Sequence, residues 1–291
     1  MLLKRLLTAL AVTGLVQLAY ADQSLTVVSP DKNIQLLVTH QTAGGLMYSI
    51  TYKGKAVVLP SVVGMKLANP VVSLQQFSLD HIDSVMVDES WKPVWGEQSQ
   101  IRNNYRQLLL SLTDKSGSGI RIQLMFRVFN DGVGFRYIFP QQDKLNHFII
   151  ADELTGFALT GDHTAFWIPG DYDTNEYAYY NSALSKVDAS GGGFAQEIHA
   201  KTFFDKNAVQ TPLMMKTAEG LYINLHEAAL VNYPAMNLIL DKSNYTFRSQ
   251  LVPDAVGNKA YLQAPFATPW RTVIVSDKAT EILSSKMILN L

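Results

Sequence analysis

The sequence of 291 residues contains no cysteine. This absence excludes disulfide bonds, thiolate metal sites and a cysteine nucleophile. Charged residues are also few, at 17% of the chain, and their signs nearly balance, with 24 Lys and Arg against 25 Asp and Glu. Proteins that bind a polyanion usually carry a clear positive excess, so nucleic acid is not expected as a partner.

Long apolar runs are absent apart from one near the N-terminus. Lys4 and Arg5 precede a short apolar run over residues 6–18, and Ala-Tyr-Ala at 19–21 has small residues where signal peptidase reads them. We interpret residues 1–21 as a secretory signal peptide, because the run is too short to span a bilayer comfortably. The mature chain is expected to be periplasmic or secreted, with no membrane contact after signal cleavage. Loss of two basic residues leaves 22 against 25 acidic residues, a net charge of −3.

Common catalytic motifs are missing as well. The sequence has no Gly-x-x-x-x-Gly-Lys phosphate loop, no paired-glycine dinucleotide fingerprint, no His-Glu-x-x-His zinc motif and no Gly-x-Ser-x-Gly nucleophile elbow. The residues therefore show no self-sufficient chemistry of these classes.

Period-two alternation is the dominant pattern that is present. Between residues 120 and 128, Ile, Leu, Phe and Val alternate with Arg, Gln and Met, which predicts a half-buried strand. Asn130-Asp131-Gly132 is expected to supply the positive φ angles of a tight turn, and residues 135–139 return as the next strand. The sequence thus predicts a hairpin over residues 120–139, preceded by a strand over 105–113.

Similar short runs recur with turns every 8 to 12 residues or so, as is typical of a sandwich of antiparallel sheets. Helix is scarce: Asp277 could cap a short helix through Leu283, and residues 286–291 look like a final apolar strand. Composition does not shift along residues 22–291, so one large all-β domain is predicted. The further predicted strands are 25–28, 34–39, 46–52, 56–59, 62–67, 213–216, 221–225, 237–240, 245–251 and 271–275.

The segment 166–177 combines aromatic rings, turn formers and carboxylates, a mixture that no core strand requires. Pro169 and Gly170 end any strand through Trp167, so the acidic residues after them lie on a loop. Such a loop suits a surface that faces a sugar or a cation. The alternative is a solvated connection whose aromatic residues cap the core.

Two smaller features invite a functional interpretation. Trp91 and Trp95 lie among acidic residues and could stack on the apolar face of a sugar ring, although core packing is an alternative for at least one of them. His226-Glu227 follows a predicted strand and could bind a ligand. A hydrogen-bonded structural pair is the simpler interpretation.

Several segments together resemble the N-terminal domain of glycoside hydrolase family 97, over essentially the whole mature chain. The resemblance rests on five stretches in the same order, which are 91–97 (Trp-Lys-Pro-Val-Trp-Gly-Glu), 131–137 (Asp-Gly-Val-Gly-Phe-Arg-Tyr), 161–174, 220–229 and 269–272 (Pro-Trp-Arg-Thr). It implies a large antiparallel β-sandwich of the galactose-mutarotase-like super-sandwich type with few short helices.

The resemblance also implies a division of labour. Family members hydrolyse α-glycosidic bonds, as α-glucosidases or α-galactosidases, with carboxylates on a (β/α)₈ barrel that follows this domain. A calcium ion beside that site takes one ligand from the N-terminal domain, and by motif this ligand falls on Glu176, with Asp171 and Asp173 as weaker candidates. The catalytic carboxylates are not among these 291 positions, so no catalytic residue is assigned and calcium is expected only with the barrel present. Trp95, Trp167 and Tyr177 are the candidate carbohydrate contacts.

Two other functions remain open from the sequence. The chain could be a free-standing exported carbohydrate-binding protein that uses the aromatic segments around Trp95 and Trp167. A sugar epimerase is a weaker alternative, because it needs a His acid and a Glu base facing one pocket, such as His163 with Glu176 or His226 with Glu227.

Overall fold

Strands dominate the computed structural model, which describes residues 22–190 and 200–291. The predicted signal peptide, residues 1–21, lies outside the described residues. In the part of the chain that is described, no helix has the length and apolarity needed to cross a membrane. The strands pair antiparallel throughout the three sheets described below.

The first sheet has eight strands. Their spatial order is β1 (Gln23–Val28), β2 (Ile34–His40), β3 (Leu46–Tyr52), β4 (Lys55–Val62), β12 (Gly156–Ala158), β19 (Thr246–Leu251), β18 (Met236–Asp241) and β15 (Ala208–Gln210).

The second sheet has ten strands. Their spatial order is β14 (Tyr180–Ala183), β13 (Thr164–Trp167), β16 (Leu213–Lys216), β17 (Tyr222–Ala228), β22 (Trp270–Ser276), β10 (Gly132–Phe139), β9 (Arg121–Phe129), β8 (Ile101–Asp114) and β7 (Phe77–Trp91), and β21 (Phe266–Ala267) pairs separately with β10.

A third, smaller sheet and little helix complete the fold. The four strands are β20 (Ala260–Gln263), β11 (His147–Glu153), β5 (Met65–Asn69) and β6 (Val71–Leu74) in spatial order. The helical pieces among the described residues are α1 (Ala279–Ser284) and the 3₁₀ turns Leu184–Lys186 and Ile288–Asn290.

The two large sheets bury their facing sides against each other. In β3 every second residue from Leu46 to Tyr52 is buried, as strand alternation requires. Tyr48 of β3 lies 4.9 Å, centroid to centroid, from Phe135 of β10 in the opposite sheet. Its hydroxyl donates a hydrogen bond of 2.8 Å to the carbonyl of Gly156. The predicted all-β sandwich with few short helices is confirmed.

The predicted hairpin over residues 120–139 is confirmed as β9 and β10, but the reason given for its glycine is wrong. None of Asn130, Asp131 and Gly132 has a positive φ. Gly132 is instead required by packing, because a Cβ there would lie 2.5 Å from the carbonyl oxygen of Val273 and 2.7 Å from Sδ of Met287.

The C-terminal segment differs from the prediction in two respects. Residues 286–291 are not a strand, because Ile288–Asn290 forms a 3₁₀ turn that lets Met287 and Leu291 pack against Tyr105 in a small second core. The short helix is present as α1, but Asp277 does not cap it. The Asp277 carboxylate instead accepts a hydrogen bond of 2.8 Å from Nζ of Lys53.

Candidate functional site

The acidic aromatic segment is anchored where β13 ends. The amide of Gly170 donates to the carbonyl of Ala208 in β15 at 2.8 Å, and the amide of Gln210 donates to the carbonyl of Ile168 at 3.1 Å. A Cβ on Gly170 would lie 2.4 Å from Cβ of Ala208, so only glycine allows this approach. The loop after Gly170 therefore leaves the sheet in a fixed direction.

Asp171 organises that loop. Its side chain is 4% exposed, and Oδ1 accepts hydrogen bonds from the amides of Asp173 at 2.7 Å and Thr174 at 3.1 Å. Its Oδ2 accepts a hydrogen bond of 2.8 Å from the Tyr177 hydroxyl. Burial alone would raise the pKa of Asp171, but the hydrogen bonds outweigh it and hold that pKa below its usual range. The ionised carboxylate of Asp171 therefore holds the loop through these hydrogen bonds.

Beside the loop is a cavity of about 810 Å³, called here the Glu176 cavity. Residues 171–176 form one wall, and Gln210, Glu227 and Asn237 line its inner part. Glu176 is exposed, and its amide is held by Oγ1 of Thr174 at 3.2 Å. Across residues 22–190 and 200–291, no basic side chain forms an ion pair with Glu176. Glu176 thus lies on the cavity wall as an exposed residue.

Asp173 lies on the same wall, and its carboxylate accepts a hydrogen bond from the Thr202 hydroxyl. Asn237 of β18 is 3% exposed and donates through Nδ2 to the carbonyl of Asp171 at 3.3 Å, while its Oδ1 has no hydrogen-bond partner. The cavity is thus lined mainly by residues whose side chains carry oxygen atoms. Among the described residues, however, no group of three or more His, Asp or Glu side chains is close enough to hold a metal ion.

A buried charge cluster supports the inner end of the cavity. Arg271 of β22 is fully buried, and its Nη1 lies 2.6 Å from Oε2 of Glu227. Its Nε donates to Oε1 of Glu153 and its Nη2 donates to Oε2 of Glu153, both at 2.7 Å. We call these three residues the Arg271 cluster. One guanidinium serves two carboxylates, so the cluster carries a net charge of −1 when both are ionised.

The Arg271 cluster also fixes the loop between β17 and β18. Oε1 of Glu227 accepts the amide of Met236 at 3.1 Å, and Oε2 of Glu153 accepts the Tyr233 hydroxyl at 3.2 Å. Burial raises the pKa of Glu227, and the neighbouring guanidinium offsets only part of that rise. Burial lowers the pKa of Arg271, but the flanking carboxylates raise it by more. The pKa therefore lies above its usual value, and Arg271 stays charged.

The predicted aromatic contacts fall in different places. Trp167 is 3% exposed and packs in the core, where its Nε1 donates to Oγ of Ser182 at 3.0 Å. Tyr177 turns its hydroxyl toward Asp171. Trp95 is 89% exposed and lines a separate cleft of about 530 Å³ with Trp91 and Leu289. The structure therefore does not bring the three aromatic residues together.

The histidines do not form the acid–base pairs that an epimerase needs. His226 pairs in register with Thr272 while Glu227 pairs with Arg271, so the two side chains lie on opposite faces of β17. His163 is 4% exposed, its Nε2 is 3.2 Å from Oγ1 of Thr160, and it does not line the Glu176 cavity.

Sequence reasoning missed the Arg271 cluster and Asn237. The signal for Arg271 was available, because an arginine at the start of the apolar run 271–275 occupies a core-facing position and requires buried carboxylates. Glu153 and Asn237 carry no such local signal, since their partners are distant in the sequence.

Comparison with known proteins identifies relatives over nearly the whole chain. The family model described as Glycosyl-hydrolase 97 N-terminal matches residues 27–291. The solved structure of a Glycoside Hydrolase Family 97 enzyme in complex with acarbose, from Pseudoalteromonas sp. strain K8, is 30% identical with a TM-score of 0.80, and the match covers 91% of this chain and 38% of that chain.

Two curated relatives are more distant in sequence. The retaining alpha-galactosidase of Bacteroides thetaiotaomicron is 26% identical over 230 residues, which is 75% of this chain and 30% of the relative. The probable retaining alpha-galactosidase of Streptomyces bingchenggensis is 27% identical over 270 residues, which is 90% of this chain and 37% of the relative. The matched region thus spans little more than a third of each relative at most.

Proposed function

Because the chain belongs to glycosyl-hydrolase family 97 through its N-terminal domain, we propose that it is the non-catalytic N-terminal domain of an exported α-glycosidase. In this role it packs on a (β/α)₈ catalytic barrel and supplies one ligand, Glu176, to a calcium ion between the two domains. The substrates are α-galactosides or α-glucosides, by analogy with the two α-galactosidase relatives and with the relative that binds acarbose.

The observation that carries this proposal is the position of Glu176. Glu176 lines the cavity and has no basic partner in the described parts of the chain, whereas Asp171 is used by its loop and Asp173 is engaged by Thr202. Calcium takes about six to eight oxygen ligands. One free carboxylate is too few, so the remaining oxygens come from the barrel. Bound calcium supplies positive charge beside the glycosidic site.

A calcium titration by calorimetry tests this proposal. Residues 22–291 alone are expected to bind calcium weakly or not at all, and the same residues joined to the catalytic portion of the Pseudoalteromonas relative are expected to bind it. The variant Glu176→Gln in the joined protein should weaken binding by about tenfold or more, since one of few charged ligands is lost. Glu219→Gln, on the turn between β16 and β17, is the matched control and should change nothing.

Two results would contradict the proposal. One is micromolar calcium binding by residues 22–291 alone. The other is equal binding by the joined protein and its Glu176→Gln variant.

A second candidate function rests on Trp95. An indole that is 89% exposed beside a cleft with Glu97, Gln98 and Lys286 at its rim suits carbohydrate stacking. We propose as the alternative that the chain binds oligosaccharides on its own, without catalysis. Tryptophan fluorescence titrated with α-galactosyl and α-glucosyl oligosaccharides should then change, and Trp95→Ala should abolish the change while Val71→Ala, at another exposed apolar position, should not. No response in the unmodified chain excludes this candidate.

Export completes the proposal. Removal of residues 1–21 by signal peptidase should give a mature N-terminus at Asp22, in the periplasm or outside the cell. N-terminal sequencing of the protein recovered from periplasmic and culture fractions checks this. An intact Met1 in the exported fraction, or retention of the protein in the cytoplasm, would contradict it.

A further inference from the structure

The outer face of the ten-stranded sheet carries a group of charged and aromatic residues that the Glu176 cavity does not explain. In register, Arg127 of β9 pairs with Gly134, Gly134 pairs with Thr272, and Thr272 pairs with His226. Arg136 of β10 is two residues from Gly134 and therefore shares this face. These side chains all point away from the sandwich core.

Two arginines stack on one tryptophan at the centre of this face. The guanidinium carbon of Arg127 lies 4.9 Å from the ring centroid of Trp270 and 4.5 Å from that of Tyr105. The guanidinium carbon of Arg136 lies 4.4 Å from the centroid of Trp270. We call Arg127, Arg136 and Trp270 the arginine patch.

The positive charges of the arginine patch have no carboxylate partner within the ranges that the structure covers. Arg127 donates through Nε to Oε1 of Gln107 at 3.1 Å, and Nε of Arg136 is buried with no hydrogen-bond partner. Glu89 attracts Arg127 only at longer range and forms no ion pair with it. The Glu89 carboxylate instead accepts a hydrogen bond from Nδ2 of Asn103. Burial lowers the pKa of both arginines, and their proximity lowers that of Arg136 further. Half-buried like charges in this arrangement favour an external carboxylate.

Polar atoms of the same face are also unpaired. Nε1 of Trp270, Oγ1 of Thr272 and Nδ1 of His226 are all buried without a hydrogen-bond partner. Trp270 and Thr272 are completely buried residues. All three atoms are covered by this chain itself, so the half-buried side chains of Arg127 and Arg136 are what this face offers to a partner.

The relatives indicate what covers it. Their chains are far longer than the region they share with this chain, and the family model that matches residues 27–291 describes an N-terminal domain. Leu291 packs on this same face, because a Cβ on Gly134 would lie 2.7 Å from its Cδ1 and 3.5 Å from the ring of Trp270. The rest of those longer chains is therefore the candidate partner for this face.

We infer that the arginine patch is the docking surface for the catalytic portion, which presents a carboxylate to Arg127 and Arg136. This inference rests on the proposed function, since it takes the catalytic portion as the partner. It assigns a second contact, on the outer sheet face, that is distinct from the one made through Glu176. The sheet face then carries the affinity, and the cavity loop completes the metal site.

Arginine labelling with phenylglyoxal, read by mass spectrometry, tests this inference. It compares residues 22–291 alone with the same residues joined to the catalytic portion of the Pseudoalteromonas relative. Arg127 and Arg136 should label in the isolated chain and label about tenfold or more slowly in the joined protein, because the centre of an interface excludes solvent. Arg248, exposed on β19 of the opposite sheet, is the internal control and should label equally in both.

Paired variants add a thermodynamic measurement. Arg136→Gln should leave the melting temperature of the isolated chain unchanged or higher, because it removes like-charge repulsion, and should lower that of the joined protein. Arg248→Gln should have the same effect in both proteins. A joined protein that binds calcium through Glu176 while both arginines still label would overturn this inference and leave the proposed function standing. A joined protein that neither binds calcium nor labels its two arginines more slowly would overturn both this inference and the proposed function.

One further result counts against docking. If acetate or sulfate slows labelling of the isolated chain while joining to the catalytic portion does not, the patch is a small-anion site and the docking assignment is overturned.

Discussion

At the scale of single residues, the buried charges of Arg271, Glu153 and Glu227 hold one side of the Glu176 cavity in place. Arg271 is completely buried between Glu153 and Glu227, and its three hydrogen bonds to them are 2.6 to 2.7 Å long. Such clusters contribute little net stability compared with apolar packing, but removal of one partner leaves an uncompensated buried charge. The cluster therefore acts as a fixed support for the inner end of the cavity.

Arg271→Met is expected to lower the free energy of unfolding by roughly 3–5 kcal/mol, because two buried carboxylates would lose their shared cation. Urea denaturation followed by tryptophan fluorescence measures this. The control is Arg102→Met, which breaks the exposed ion pair with Asp88 and should have little effect. Equal stabilities for the two variants would contradict the structural role given to Arg271.

Asp171 gives a prediction about pH. Its pKa in the folded protein lies below the value of about 3.9 for an unfolded chain, so the folded state binds fewer protons and is favoured above that pH. This stabilisation is lost as pH falls through the folded pKa. Asp171→Asn should cost roughly 1–3 kcal/mol at pH 7, by weakening the loop hydrogen bonds, and less at pH 3.

Urea unfolding at the two pH values measures this difference. A cost that is the same at pH 7 and pH 3 would mean that the ionised form of Asp171 does not stabilise the loop.

Glu227 has the opposite pH dependence, because its pKa is raised in the folded protein. Its contribution favours the folded state below the pKa of the unfolded chain and is lost as pH rises through the folded pKa.

At the scale of elements, strands were predictable from the sequence and their ends were not. Residues 120–128 alternate between apolar and polar types, so β9 could be placed from the pattern alone. The segment 286–291 is equally apolar, yet it forms a 3₁₀ turn because Met287 and Leu291 fill a small core on the sheet face. An apolar run shows that residues are buried, whereas the backbone they adopt depends on the surface that buries them.

For the candidate site, the sequence indicated the loop but not the side chains that surround it. Segment 166–177 combined loop formers and acids, and the structure places part of it, including Glu176, on the wall of the Glu176 cavity. The burial of Trp167 and the supporting cluster of Glu153, Glu227 and Arg271 depended on contacts between strands far apart in sequence. Such long-range pairs leave no periodic signal in a single sequence.

Gly170 offers a test at this scale. Gly170→Ala should destabilise the protein by roughly 1–3 kcal/mol, because its new methyl group would meet the side chain of Ala208 and push the cavity loop from β15. Gly161→Ala is the matched control, since no atom lies within 4 Å of a Cβ there. Thermal unfolding of both variants measures the difference, and equal melting temperatures would show that the loop is not anchored at this point.

At the scale of the whole molecule, the sandwich has two features that its own residues leave incomplete. One is Glu176, which lines a cavity where no three His, Asp or Glu side chains of the described residues are close enough together to hold a metal ion. The other is the outer sheet face, where Arg127 and Arg136 stack on Trp270 without a carboxylate partner in the described chain. The catalytic domain that we propose as the partner accounts for both, by contacting the sandwich at the cavity loop and along the sheet.

The most direct measurement is a crystal structure, with calcium, of residues 22–291 joined to the catalytic portion of the Pseudoalteromonas relative. The account predicts an ion between the two domains with a carboxylate oxygen of Glu176 at about 2.3 to 2.6 Å. A calcium ion coordinated entirely by the catalytic portion, with the Glu176 side chain turned to solvent, would contradict it.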